Sequence, residues 1–217
     1  MTDFLYATVS EIKERLYIQD NDRDRQWTSV ARAASRWVDD VTGHRFYSSA
    51  DIDPDNPTEV RYYQYAAGCD PLRLDVDDVL SIDTLTTDEN GDGVFEYTWA
   101  VDTDYWLGPR NAPARNQPYT TIHRATFAGR YWFPSWPNSV RVEGNFGYCS
   151  LTDVPHPVRE LTLMVAAAKA HAMLDLTMAG VHAYQAGPEL RVTMAPNELP
   201  PFAREIIDKY RIPSYVV

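Results

Sequence analysis

The hydrophobic period of this chain changes twice, and that constrains its fold more than any other feature. Apolar residues recur every three or four positions near both ends and every second position between, spacings that demand helix and strand respectively. In residues 1–57 the helical spacing is carried by Val9, Ile12 and Leu16, then by Trp27, Val30, Ala34, Trp37 and Val41. Thr8 and Glu11 form a T-x-x-E capping box, so the first helix has a defined start. Asp20, Asp22 and Asp24 suit the positive end of the second helix dipole, and Gly43 supplies its stop. Residues 48–57 read as a turn-rich linker.

Residues 58–150 alternate instead. Leu72, Leu74 and Val76 form one run, Phe95, Tyr97, Trp99 and Val101 another, and Val140, Val142 and Phe146 a third. In the third run Arg141, Glu143 and Asn145 fall on the opposite face. The stretch 108–118 is predicted to be an irregular loop, with the segment before it ending a strand. Residues 151–217 return to helix. Asp153 is the expected cap and Pro157 fits the first turn, while Val158, Leu161, Val165, Ala168, Ala172 and Leu176 share a face that Gly180 ends. A short strand at 190–194 and a last helix from Pro200 and Pro201, carrying Phe202, Ile206 and Tyr210, complete the reading. The predicted fold class is α+β: a helical bundle formed by the N-terminal and C-terminal helices, with a β-rich insertion in the middle. Residues 1–57, 58–150 and 151–217 together make one composite domain.

Charge and cysteine content exclude several functions. The net charge is −11, from 31 acidic and 20 basic side chains, and there is no lysine- or arginine-rich run. A protein that grips nucleic acid needs a basic stripe to displace counterions from phosphate, so tight DNA binding is not expected. Cys69 and Cys149 are the only cysteines, too few for a disulfide framework or a cysteine zinc site. The first residues lack the basic and apolar regions of a signal peptide. The most apolar stretch, 158–178, is interrupted by Arg159, Glu160, Lys169, His171 and Asp175, so no bilayer span is expected. A soluble protein made in the cytoplasm is the consequent expectation.

The sharpest local motif is D-x-N-x-D-G at Asp88, Asn90, Asp92 and Gly93, the first half of a calcium-binding loop. The twelfth position, where a bidentate glutamate belongs, is Trp99, and the flanks read as strands. The same residues spell a β-hairpin turn, which is the preferred reading; Asp88, Asn90 and Asp92 stay as the candidate metal ligands. His44, His123, His156, His171 and His182 form no two-histidine helical motif, and His171 with Asp175 reads as an ordinary i,i+4 contact. No nucleophile elbow, phosphate loop or dinucleotide fingerprint occurs. No catalytic residue and no cofactor are expected. The aromatic run Tyr131, Trp132, Phe133 and Trp136 has only Arg130 beside it, which argues against stacking on nucleic acid. The run reads as a loop packing its aromatics into the sheet or into a neighbouring subunit, and those four residues are the candidate subunit-interface anchors.

Several segments, taken in order, resemble the head–tail connector (adaptor) family of tailed bacteriophages. They are Thr8 to Leu16, Ala33 to Val38, Thr42, Gly43 and Phe46, Leu80 to Leu85, Asp104 to Pro109, Pro118 to Ile122, Val140 to Tyr148 with the alanine-rich helix after it, and Lys209 to Arg211. The resemblance implies a structural virion protein of the neck, made in the bacterial host and without catalysis. It further implies a ring of about twelve copies below the portal. The implied partners are other copies of the chain, the portal protein, and a stopper or tail-completion protein. DNA passes through without specific binding, as an acidic wall repels phosphate. The implied portal-docking segment is the apolar tail Ile212, Pro213, Ser214, Tyr215, Val216 and Val217, a peptide suited to ordering on a partner. Two alternatives stand beside it: a head- or tail-completion protein, and a calcium- or carbohydrate-binding module built on the acidic turn and the aromatic run.

Overall fold

A computed structural model of the chain describes residues 4–19, 21–65, 72–125, 133–177 and 200–212. Cys69, Tyr131, Trp132, the expected strand at 190–194, the expected stop at Gly180 and tail residues 213–217 lie outside them, as do the side chains of His171 and Asp175. The chain divides into two compact units, Met1–His44 with Val154–Val217, and Arg45–Asp153.

The first unit is helical. Helix α1 (Val9–Arg15) opens with the expected box: Thr8 Oγ1 accepts from Glu11 N, and Glu11 Oε2 accepts from Thr8 N at 2.7 Å. Seven residues make a marginal helix alone, so its stability comes from packing. Helix α2 (Asp24–Thr42) buries Trp27, Val30, Ala31, Ala34, Ser35, Val38 and Thr42. The buried face is thus turned slightly from the expected one, with Val38 replacing Trp37. Gly43 ends it in the left-handed region, at φ 79°, which costs a residue without Cβ nothing. Helices α4 (His156–Thr177) and α5 (Pro201–Tyr210) pack against α2, burying Val158, Leu161, Ala166, Ala170, Ala203 and Ile206. Two ion pairs tie α1 to α4: Arg159 Nη2 to Glu11 Oε1 at 2.6 Å, and Arg15 Nη1 to Glu160 Oε2 at 3.0 Å. Among the described residues no helix is long and apolar enough to cross a membrane.

The second unit is a six-stranded, mostly antiparallel sheet. Its strands are β1 (Glu59–Tyr63), β2 (Arg73–Thr87), β3 (Tyr97–Trp99), β4 (Tyr105–Gly108), β5 (Tyr119–Arg124) and β6 (Val140–Phe146). The order across the sheet is β1-β6-β2-β5-β4, and β3 pairs with β2 off that path. Strand β2, 15 residues long, organises the rest. Its first part pairs with β5, and its second part lies between β6 and β3, with register shifts at 79–81 and 82–84. Leu74, Val79, Leu85, Trp99, Tyr105, Ile122, Phe133, Val140, Val142 and Phe146 form one core. The alternation at 140–146 is as expected, buried at every odd step.

The expected helical bundle with a β-rich insertion is corrected by this sheet. The β-segment is no appendage: it is the principal element of the chain, with its own core. Periodicity assigns a conformation to each segment, but not how many partners a strand such as β2 will acquire. The expected linker at 48–57 is corrected as well. Ser48 and Asp51 form a second capping box that starts helix α3 (Ser49–Ile52). Asp51 Oδ2 also accepts from Leu151 N at 2.9 Å, so this turn is part of the sheet unit.

Candidate functional site

The turn between β2 and β3 begins with a carboxylate surrounded by backbone donors. Asp88 Oδ1 accepts from Gly91 N at 2.7 Å and Asn90 N at 3.2 Å, and Oδ2 accepts from Gly93 N at 2.8 Å. Partial desolvation raises the Asp88 pKa, but these N–H groups outweigh it and hold the carboxyl below its ordinary range. Asp92 Oδ1 accepts from Val94 N, and the Asn90 amide donates to Glu96 Oε1 at 2.8 Å and Asp92 Oδ2 at 3.2 Å. Gly91 and Gly93 take positive φ, as the tight path of the turn requires.

Asp88, Asp92 and Glu96 each hold an oxygen within 4.8 Å of the others. Of the predicted ligands, Asp88 and Asp92 therefore converge, while Asn90 reaches the cluster through its N–H₂, a donor unfit to ligate a cation. Glu96 joins from position nine of the motif rather than Trp99 from position twelve. Trp99 points into the core, where its indole N–H donates to Thr87 Oγ1 at 2.9 Å and its ring stacks on Phe133 at 5.0 Å. The turn is closed by its own donors, as a structural hairpin connection requires.

Beside the turn lies an open depression of about 530 Å³, lined by Tyr62, Asp88, Asn90, Phe95, Trp136 and Asn138 among others. Tyr62 and Phe95 are in ring contact at 5.9 Å. Trp136 lies against Gly91 and donates its indole N–H to Glu89 O at 3.3 Å. Tyr62 and Trp136 are each 50% exposed. The depression thus has aromatic walls and a carboxylate rim, and it adjoins β1, an edge strand of the sheet among the described residues.

The opposite edge, β4, differs in chemistry. Trp106 stacks on His123 at 5.6 Å and 7°, and the Arg110 guanidinium lies 5.9 Å from the Trp106 ring. The loop after β4 holds a short 3-10 turn, Pro113–Arg115, so it is more ordered than its composition predicts. Arg45, Arg61, Arg73, Arg110 and Arg141 each face a carboxylate, and Arg124 is buried. Arg115 is exposed; its backbone N–H donates to Ala112 O at 2.9 Å, and its side chain has no hydrogen bond or ion pair among the described residues.

The predicted interface anchors separate. Phe133 is 1% exposed and belongs to the sheet core, so its assignment as an anchor is corrected: a side chain already enclosed offers a partner no surface. Trp136 is exposed as expected. Of the predicted tail, Ile212 is described and is held by its own unit. Its N–H donates to Thr42 O at 2.8 Å, and its side chain packs on Gly43. Sequence reasoning missed Tyr62, Phe95 and Arg115. Burial pushes the Cys149 thiol up to about 12, reinforced by the charges of Asp153, Asp51 and Asp78, which makes it a poor nucleophile.

No family model and no curated protein matches the chain. Solved structures do. A chain from the neck of an empty gene transfer agent (GTA) particle, computed with C6 symmetry, is 18% identical with a TM-score of 0.54, covering 96% of this chain and 90% of that one. A chain from the virion of a native GTA particle is 16% identical with a TM-score of 0.53, at the same coverage. A chain from the neck of a native GTA particle computed with C12 symmetry is 18% identical with a TM-score of 0.51, again at that coverage. At such identities the likeness establishes a common fold, extending over nearly the whole chain.

Proposed function

We propose that this chain is a structural, non-catalytic subunit of the neck of a tailed phage or phage-like particle. Within the neck it is a head–tail connector of the adaptor type, assembling as a ring below the portal and leaving a channel for DNA. The observation that carries this reading is the fold shared over 96% of the chain with chains of particle necks. The C6 and C12 symmetry of those necks accords with a cyclic assembly of copies. The net charge of −11 accords with a wall that lets phosphate pass without holding it.

Deletion of the gene from the particle's genome tests the reading. Particles made without the protein are expected to stop as DNA-filled heads lacking tails, and electron microscopy of purified wild-type necks is expected to reveal a ring of this fold directly beneath the portal. Heads that join tails normally without the protein overturn the connector role. A ring found only at the tail end of the neck supports a tail-completion protein instead.

A further inference from the structure

A subunit of a cyclic ring meets one neighbour with one surface and the other neighbour with a different surface, so the two patches must be complementary rather than alike. The sheet unit has two patches that make such a pair. Beside β1 lies the depression walled by Tyr62, Phe95 and Trp136 and lined by Asp88, whose carboxylate has an oxygen within 4.8 Å of oxygens of Asp92 and Glu96. In the connection between β4 and β5, the side chain of Arg115 is exposed and has no hydrogen bond or ion pair among the described residues.

Resting on the ring reading above, we propose that the aromatic–acidic depression beside β1 is the socket for Arg115 of a second copy of this chain. Three observations favour a guanidinium from this loop as the occupant. Flat aromatic faces attract cations, and guanidinium groups above all, at ring distances under about 6 Å. Carboxylates supply acceptors for the N–H donors of an arginine, and exposed Glu96 has an oxygen within 4.8 Å of one of Asp88, which lines the depression. Finally, the other described arginines of the unit each pair with a carboxylate or are buried, whereas the Arg115 side chain has no ion pair among the described residues. Edge position matters too, because β1 has one strand neighbour among the described residues, so another copy can approach the depression beside it closely.

The test uses the full chain and reads its assembly by sedimentation velocity and mass photometry at 50 and 500 mM NaCl. Wild type is expected to form the ring, more weakly at high salt as screening predicts. Arg115→Glu and Trp136→Ala are each expected to weaken association at least tenfold. The Arg115 side chain is exposed, so circular dichroism and the thermal midpoint of Arg115→Glu should stay at the wild-type values, while Trp136→Ala, which loses the bond to Glu89 O, should keep the spectrum and melt slightly lower. Combining Arg115→Glu with Glu96→Arg is expected to recover most of the lost association, since the charges are exchanged across one contact. Rings of unchanged stability in Arg115→Glu and Trp136→Ala overturn the socket and leave the ring reading standing. Loss of assembly without recovery in the exchanged pair overturns the pairing of Arg115 with this rim. A wild-type chain that remains monomeric, alone and with portal protein, overturns the ring reading and the socket together.

Discussion

Glu59 sits between two guanidinium groups, and that arrangement decides how the sheet unit responds to acid. Its Oε2 accepts from Arg45 Nη2 at 3.0 Å and its Oε1 from Arg61 Nε at 3.0 Å. Burial raises its pKa, but the hydrogen bonds and charges of Arg61 and Arg45 outweigh this and bring it down to about 2. A carboxyl depressed on folding adds stability that is present above its unfolded pKa and lost as pH falls through its folded one. The window here runs from near the ordinary glutamate value of 4.5 down to about 2. The side chain is 36% exposed, so solvent screening reduces the contribution to about 1 kcal/mol. Glu59→Gln is therefore expected to lower stability by about 1 kcal/mol at pH 7 and to flatten the urea-unfolding profile between pH 5 and pH 2. An unchanged acid slope would show that the pair of arginines does not select the ionised form. Sequence spacing had access to only half of this site: Glu59 and Arg61 are two apart on one face of β1, whereas Arg45 joins them through the fold, its Nη2 also donating to Phe146 O of β6 at 2.8 Å. The two capping boxes are different in kind. Their partners are three residues apart, so Thr8 with Glu11 is readable from the chain itself, and Ser48 with Asp51 obeys the same rule although the surrounding turn residues obscured it.

At the scale of elements, the strands that sequence located best are those with one face buried, such as β6, because strict alternation records the pleat. Strand β4 is the strand end expected before the irregular loop, although its pattern, buried at both ends and half-buried between, has no clear period of two. The 88–96 connection was legible as a hairpin turn, yet Phe95 was read as part of the following strand and is instead a wall of the depression. Phe133 decides between the two placements open to its run, sheet core or subunit interface. An aromatic in a Pro- and Trp-rich segment suits an interface, but here it stacks on Trp99 at 5.0 Å and 17° inside the core. Removal of such a ring leaves a cavity that a sheet fixed by β2 and β6 cannot close. Phe133→Ala is expected to cost about 3 kcal/mol or more in chemical unfolding and to quench the near-ultraviolet dichroism of Trp99. A loss below 1 kcal/mol, with weakened ring assembly, would return Phe133 to the interface.

For the whole molecule, the difference between an insertion and an independent body is a matter of where the ends of the segment lie and what core it owns. Residues 45–153 own the ten buried side chains of the sheet core. Their ends are pinned together within the unit: Tyr148 N donates to Arg45 O at 2.8 Å, the Cys149 thiol approaches Phe46 O at 3.9 Å, and Ser150 and Leu151 bond to Asp51. The Phe46 and Tyr148 rings add a contact at 4.9 Å. A segment whose ends already meet pays little extra closure entropy when excised, and a domain of this size lies within the range that folds alone. The fragment 45–153 is therefore expected to fold by itself, with a strand-rich far-ultraviolet spectrum, a single cooperative urea transition and Trp99 as buried as in the full chain. Fluorescence quenching by acrylamide checks the last point. A fragment that binds hydrophobic dyes and unfolds without a transition would mean that the sheet depends on the helices for its structure. Hydrophobic period could not have decided between these outcomes, because it reports which face of each segment is apolar and is silent on which segments close a core together.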